Sequence, residues 1–168
     1  MRQTAVTNVI DAPRERVFDY LADIANHAEF TDHFIKDFRL ERLESRGVGA
    51  AARFRLTSPV LSPLGLDVWT ELVVAELERP HRIQLNGRAG RIGRVPVDVA
   101  YRLTLEDPGM TRVELALTSN PTAAPDRLRE MLGGRLWLTF QCRRALKRLK
   151  LILEQGEPST HAVRVAAG

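Results

Sequence analysis

The chain has 168 residues, 44% apolar and 27% charged, a composition that fits one globular domain and excludes a low-complexity or disordered chain. No apolar run approaches the ~20 residues of a membrane-spanning helix, and the single cysteine, Cys142, excludes an internal disulfide. The net charge of +4 does not point to nucleic acid: only Lys36, Lys147 and Lys150 are lysines, leaving 22 arginines among the 25 basic residues, and the 21 acidic residues are spread among them rather than leaving one basic face. The N-terminal MRQTAVTNVIDA carries no signal-peptide apolar segment, so a cytoplasmic protein is expected.

Residues 3–11 (QTAVTNVID) are rich in β-branched side chains and read as a strand. Ala12-Pro13 then opens a helix, with proline at an early position where its missing N–H costs nothing, and Val17, Phe18 and Leu21 give that helix an apolar side. A break near Asp23 leads into a second short helix through Phe30 and Phe34. That region holds His27, Glu29, Asp32 and His33. A carboxylate and a histidine four apart share a helix face, but the His-Glu-x-x-His arrangement is absent and the two histidines point apart, so solvated polar residues and no metal are expected.

From Lys36 to Asn120 the pattern is strands and turns. KDFRLERLES, AAARFRLT, VWTELVVAELE, HRIQLN, VPVDVAYRLTLE and TRVELALTS are the expected strands. Ala52, Phe54 and Leu56 share a face, as do Val95 through Leu105 at alternate positions and Val113, Leu115 and Leu117; such alternation means an antiparallel sheet with one wet face. Strand 67–77 is ambiguous, because Trp69, Glu71 and Val73 form one face and Thr70, Leu72 and Val74 the other. GRAGRIGR, from Gly87 to Arg94, lacks the Gly-Lys-Ser/Thr ending of a phosphate loop and reads as a basic hairpin connection. TSPVLSPLGL offers Val60, Leu61 and Leu64 as a lid, a dimer contact or packing on the sheet end.

The longest element runs from Pro125 to about Gln155, with Gly156 stopping it and residues 156–168 expected to be a flexible tail. At 100° per residue, Leu128, Leu132, Thr139, Leu146 and Leu153 lie on one stripe, with Met131, Cys142 and Leu149 beside it. Arg135 falls inside the stripe, facing a cavity or snorkelling out near its mouth. Gly133-Gly134 marks a flexible segment, a helix boundary or close packing against the sheet, and Trp137 and Ile152 fall on the outer side.

This order of elements is α+β: a strongly curved seven-stranded antiparallel sheet wrapped around a long C-terminal helix, with two short helices between strands 1 and 2 closing the end. It resembles the helix-grip fold of the START-like (SRPBCC) superfamily, in its polyketide cyclase/dehydrase-like branch. The resemblance rests on IDAPRERVFDYLADIANHAEF, WTELVVAELERPHRI and ALKRLKLILEQG, and spans residues 3–155. It implies a ligand-binding domain over residues 1–155 with an internal cavity for a lipid, an aromatic or polyketide-like molecule or another apolar ligand, and no cofactor.

On that frame the expected cavity wall comprises Phe54, Leu56, Trp69, Val97, Val99, Tyr101 and Leu115 from the sheet, with Leu132, Arg135, Leu136 and Thr139 from the helix. Tyr101 sits mid-strand on an inward apolar face, so its hydroxyl needs a partner. If the Trp69 face is inward, Glu71 would be the cavity carboxylate and would pair with Arg135. Binding of a small hydrophobic molecule is the first expectation. A cofactor-independent cyclase or dehydratase using Arg135, Tyr101 and Glu71 as acid–base groups is the second. The third is an interaction protein acting on a chaperone or ribosome-like partner. A monomer and a homodimer fit equally well.

Overall fold

In the computed structural model the chain is described over residues 2–57, 68–90, 95–120, 134–155 and 164–165. Strand β1 (Arg2–Ile10) points Thr4, Val6 and Ile10 inward at alternate positions, as a half-buried strand must. Helix α1 (Arg14–Leu21) starts directly after Pro13 and buries Val17, Phe18 and Leu21. The break at Asp23 is a capped turn: its carboxylate accepts from the Ala25 backbone N–H at 3.1 Å and opens a 3₁₀ turn over Ile24–Asn26. Helix α2 (His27–Thr31) follows, stopping before Phe34.

Strands β2 (Ile35–Leu40), β3 (Ala51–Leu56), β4 (Val68–Glu78), β5 (Arg82–Ala89), β6 (Val95–Asp107) and β7 (Met110–Ser119) each pair antiparallel with the next, and β1 closes onto β7. This is the expected curved seven-stranded antiparallel sheet. Residues Arg164–Val165 add a two-residue strand, β8, parallel to β2 at the sheet edge, within the stretch for which no pattern was expected. Strand β2 is shorter than KDFRLERLES suggested. Its register shifts between Lys36 and Arg39, where Asp37 takes a φ of 53° and pairs with Arg55 at 2.8 Å.

Strand β5 holds one close backbone approach. Gly87 was expected to begin a hairpin connection, yet it lies inside the strand, opposite Leu72. A Cβ there would collide with the Glu71 carbonyl oxygen and stand 2.7 Å from the Leu72 side chain. Only glycine lets the β4 and β5 backbones approach this closely.

Helix α3 (Arg135–Gln155) crosses the concave face and is bolted down by polar contacts at both flanks. Toward β1, Asn8 donates to the Leu146 carbonyl at 3.2 Å, Lys150 donates to the Val9 carbonyl at 2.9 Å, and Glu154 accepts from the Asp11 N–H at 2.7 Å. Toward α2, Arg148 pairs with Asp32 at 2.5 Å and donates to the Glu29 carbonyl at 3.3 Å. The expected beginning of this helix, with Leu128, Met131, Leu132 and Gly133, lies outside the described residues. So do Val60, Leu61 and Leu64.

The buried face of α3 carries Cys142, Ala145, Leu146, Leu149 and Leu153. Four of these, Cys142, Leu146, Leu149 and Leu153, were expected on or beside the apolar stripe, and Ala145 widens the face on one side by a residue step of ~100°. Trp137 and Ile152 pack against the core rather than facing outward, and Thr139 falls at the margin with its hydroxyl bonded back to the Arg135 carbonyl at 2.8 Å. The stripe read from the sequence did not include Ala145 and Trp137, which also face the core.

Candidate functional site

Between the sheet and the first half of α3 lies a cavity of about 250 Å³, just below the ~300–1,000 Å³ typical of small-molecule sites. Its wall is built by the inward sets of the strands. Phe54 and Leu56 come from β3, Thr70 and Leu72 from β4, Val97, Val99 and Tyr101 from β6, and Leu115 and Leu117 from β7. Helix α3 contributes Trp137, Leu138, Cys142 and Ala145, and the α2 region contributes His27, Phe30, Thr31 and Phe34. The small side chains at Cys142 and Ala145 are where the helix leaves room; one turn on, Leu146 and Leu149 fill it.

Of the residues expected on the wall, Phe54, Leu56, Val97, Val99, Tyr101, Leu115 and Arg135 line the cavity. Trp69, Glu71, Leu136 and Thr139 do not. The ambiguity of β4 resolves toward its other face, since Thr70, Leu72 and Val74 are buried while Trp69 and Glu71 are exposed. On that outer face the Arg53 guanidinium stacks over the Trp69 ring, 5.0 Å from its centroid. Leu136 projects into solvent at 79% exposure because it lies on the far side of α3 from the sheet. Leu132 lies outside the described residues.

Arg135 stands at the cavity mouth, exposed, and donates to the Gln3 carbonyl at 3.0 Å. The expected pairing with Glu71 is therefore absent, and the snorkelling alternative describes its position. Among the described lining residues Arg135 is the one with a permanent charge.

The opposite end, covered by α1 and α2, is where the titratable groups gather. His27 is buried, contrary to the expectation of a solvated side chain, and its ring packs edge-on against Tyr101 with centroids 5.5 Å apart and against Phe30 at 5.4 Å. Its Nε2 sits 2.8 Å from the Leu21 carbonyl oxygen. A carbonyl can only accept, so Nε2 carries the proton and Nδ1 of the neutral ring holds a lone pair. Burial lowers the His27 pKa from the usual 6.5, which keeps the ring neutral, although the Leu21 hydrogen bond opposes that shift. Burial likewise raises the Tyr101 phenol well above 10.0, and pushes the Cys142 thiol up to about 12. Both stay protonated at neutral pH. Cys142 is thus a packing residue rather than a nucleophile.

Two further polar atoms at the cavity have no hydrogen-bond partner among the described residues, Thr70 Oγ1 and Trp137 Nε1. The other members of the candidate metal set are engaged elsewhere. Glu29 accepts from the Tyr20 hydroxyl at 2.5 Å, Asp32 pairs with Arg148, and His33 Nε2 donates to the Gln141 carbonyl at 3.3 Å. His27 was the functional candidate missed from sequence. The signal was present: His27, Phe30, Thr31 and Phe34 stand at i, i+3, i+4 and i+7, the spacing of a buried helix face that includes one histidine.

Over residues 1–154 the chain matches the family described as polyketide cyclase / dehydrase and lipid transport. No curated protein matches it by sequence. Among solved structures it is similar to TTHA0849 of Thermus thermophilus, with a TM-score of 0.67 at 17% identity over 94% of this chain and 100% of that one. It is also similar to DR_A0006 of Deinococcus radiodurans, with a TM-score of 0.61 at 18% identity over 93% and 100%. The Mycobacterium smegmatis protein Ms6760 gives 0.63 at 16% identity over 92% of each chain. At these identities the likeness is one of fold. Among the described residues no helix is long and apolar enough to cross a membrane.

Proposed function

The chain belongs to the polyketide cyclase/dehydrase and lipid transport family, and from this premise we propose that it binds a small, mainly apolar molecule, lipid, aromatic or polyketide-like, in the cavity under α3. The observation that carries the reading is the cavity itself. A fold of this size packs its interior with few voids larger than a water molecule, yet here about 250 Å³ is left open behind a wall of valine, leucine and aromatic side chains. Leaving such space unfilled forfeits packing energy, so an apolar occupant that restores the contacts binds favourably. Native mass spectrometry of gently purified protein tests this. A discrete added mass that leaves on denaturation supports the reading, whereas a bare mass together with no binding of any apolar probe overturns it.

A second reading, cofactor-independent cyclisation or dehydration, draws on one arrangement: the His27 ring with its Nδ1 lone pair lies against the protonated Tyr101 phenol at the same end of the cavity. A base and an acid side by side in a dry pocket are the minimum for moving a proton off carbon and onto oxygen. In that case Tyr101→Phe abolishes turnover of a polyketide-like substrate while leaving its binding nearly intact.

A further inference from the structure

We infer that the ligand carries a neutral hydroxyl at its leading end, as in an alcohol or phenol, held between His27 Nδ1 and the Tyr101 hydroxyl, with its apolar body running toward the mouth at Arg135. The inference rests on the cavity-binding reading above and adds the chemistry of the ligand's head.

Three observations converge on it. First, the Leu21 carbonyl fixes the His27 tautomer, so the cavity-side nitrogen is an acceptor and not a donor. Second, neither His27 Nδ1 nor the Tyr101 hydroxyl has a hydrogen-bond partner among the described residues, although both side chains are buried and line the cavity. Polar groups inside native proteins are nearly always satisfied by protein or by water, so a ligand head that displaces water from this pair has to replace its hydrogen bonds. Third, the polar head has to match both groups. A hydroxyl donates to the histidine lone pair and accepts from the tyrosine O–H at once. A ketone or ether only accepts, which leaves the histidine unsatisfied.

Charge decides against the obvious competitor, a carboxylate head such as that of a fatty acid. At this end the charged forms of His27 and Tyr101 are disfavoured by burial, and Arg135, the permanently charged residue on the described wall, is at the other end and engaged with Gln3. An anion would enter without a counter-charge and lose its hydration. At the mouth the same carboxylate would meet Arg135 only in solvent, where an ion pair is weak.

Isothermal titration of the wild-type protein at pH 7.5 with 2-naphthol, 2-methoxynaphthalene and 2-naphthoate separates the cases, because the three share a ring system and differ at the head. The expected result is 2-naphthol binding at least tenfold tighter than either of the others, with the advantage over the ether shrinking several-fold in Tyr101→Phe. Equal affinities for all three would overturn the hydroxyl head while leaving the apolar cavity in place. A preference for 2-naphthoate would overturn it by showing a cationic head site. Failure of all three to bind would overturn both this inference and the cavity reading. The wild-type comparison stands even if the variant does not fold.

Discussion

The two halves of the space under α3 are made from the same sheet and the same helix, yet one is solid and the other hollow. Toward the C-terminal end of α3, Leu146, Leu149 and Leu153 meet Ile10, Val17, Ile83, Leu103 and Val113, all buried. Toward its N-terminal end the helix presents Leu138, Cys142 and Ala145 to Val95, Val97 and Val99, and to Ala89 and Gly90, and the cavity opens. No change of secondary structure separates them. Side-chain volume does: where the cavity opens, the helix brings the small Cys142 and Ala145 over Val95, Val97, Val99, Ala89 and Gly90, and the larger Leu146 and Leu149 follow one turn on. The difference teaches that the cavity is encoded by a few volumes, on a scaffold held in place by the solid half.

The largest expected effect comes from damaging the solid half. Leu149 is fully buried, and Leu149→Ala leaves a void that packed neighbours close only in part, costing about 3 kcal/mol. Leu115→Ala, on the cavity wall, removes a side chain that already faces empty space on one side, and is expected to cost less than half as much. Urea denaturation of the two variants measures the contrast directly, and equal losses would mean that the hollow half is as tightly packed as the solid one. Next in size is Gly87→Ala. The added methyl would collide with the Glu71 carbonyl, so the β4 and β5 backbones must part locally, at a cost of about 2 kcal/mol. A melting temperature unchanged in this variant would show that the fold does not depend on the close approach.

These contrasts also explain what could be read in advance. Alternation at Val97, Val99, Tyr101 and Leu103, and at Val113 and Leu115, determined both the strands and their inward faces, because a period of two leaves no choice once one face is wet. Strand β4 offered no such decision, since Trp69 and Val73 on one face are as apolar as Leu72 and Val74 on the other. Only its register with β3, which aligns Phe54 with Thr70, puts Thr70 inward and Trp69 out. On α3 the stripe of Cys142, Leu146, Leu149 and Leu153 was legible but the width of the buried face was not, because alanine and tryptophan carry weaker or mixed signals. Gly87 read as a turn because the close approach that requires it is a tertiary fact.

A gentler change sharpens the comparison from the other side. Ala145→Leu adds volume on the hollow half, where space exists to receive it, so stability should hold or rise by up to ~1 kcal/mol as in cavity filling elsewhere. The same side chain occupies ligand space, and affinity for 2-naphthol should fall at least tenfold. Unchanged affinity in a folded variant would place the ligand outside this cavity.

The smallest effect is a pH dependence that belongs to the hollow half alone. His27 and His33 both have pKa values lowered from the usual 6.5, each chiefly by burial. The folded state therefore binds fewer protons than the unfolded chain below that value. The resulting stability is fully present above about pH 6.5 and declines as pH falls through the folded-state pKa, with a slope of at most about 1.4 kcal/mol per pH unit for each histidine. Both residues lie on or beside α2, next to the cavity and away from the solid half. Denaturation midpoints between pH 7.5 and 5.0 should decline in the wild type, and His27→Gln should flatten the part of that decline due to the buried ring, leaving the smaller contribution of the partly exposed His33. A hydroxylated ligand adds a second signature, because it binds only the neutral His27 ring: its stabilisation should persist while the unfolded chain alone takes up the proton and vanish only as the pH falls below the lowered folded-state pKa of His27. If the ligand stabilises the protein equally on both sides of the pH at which the folded His27 ring takes up its proton, followed by the imidazole NMR signals, then His27 Nδ1 is not the atom that holds it.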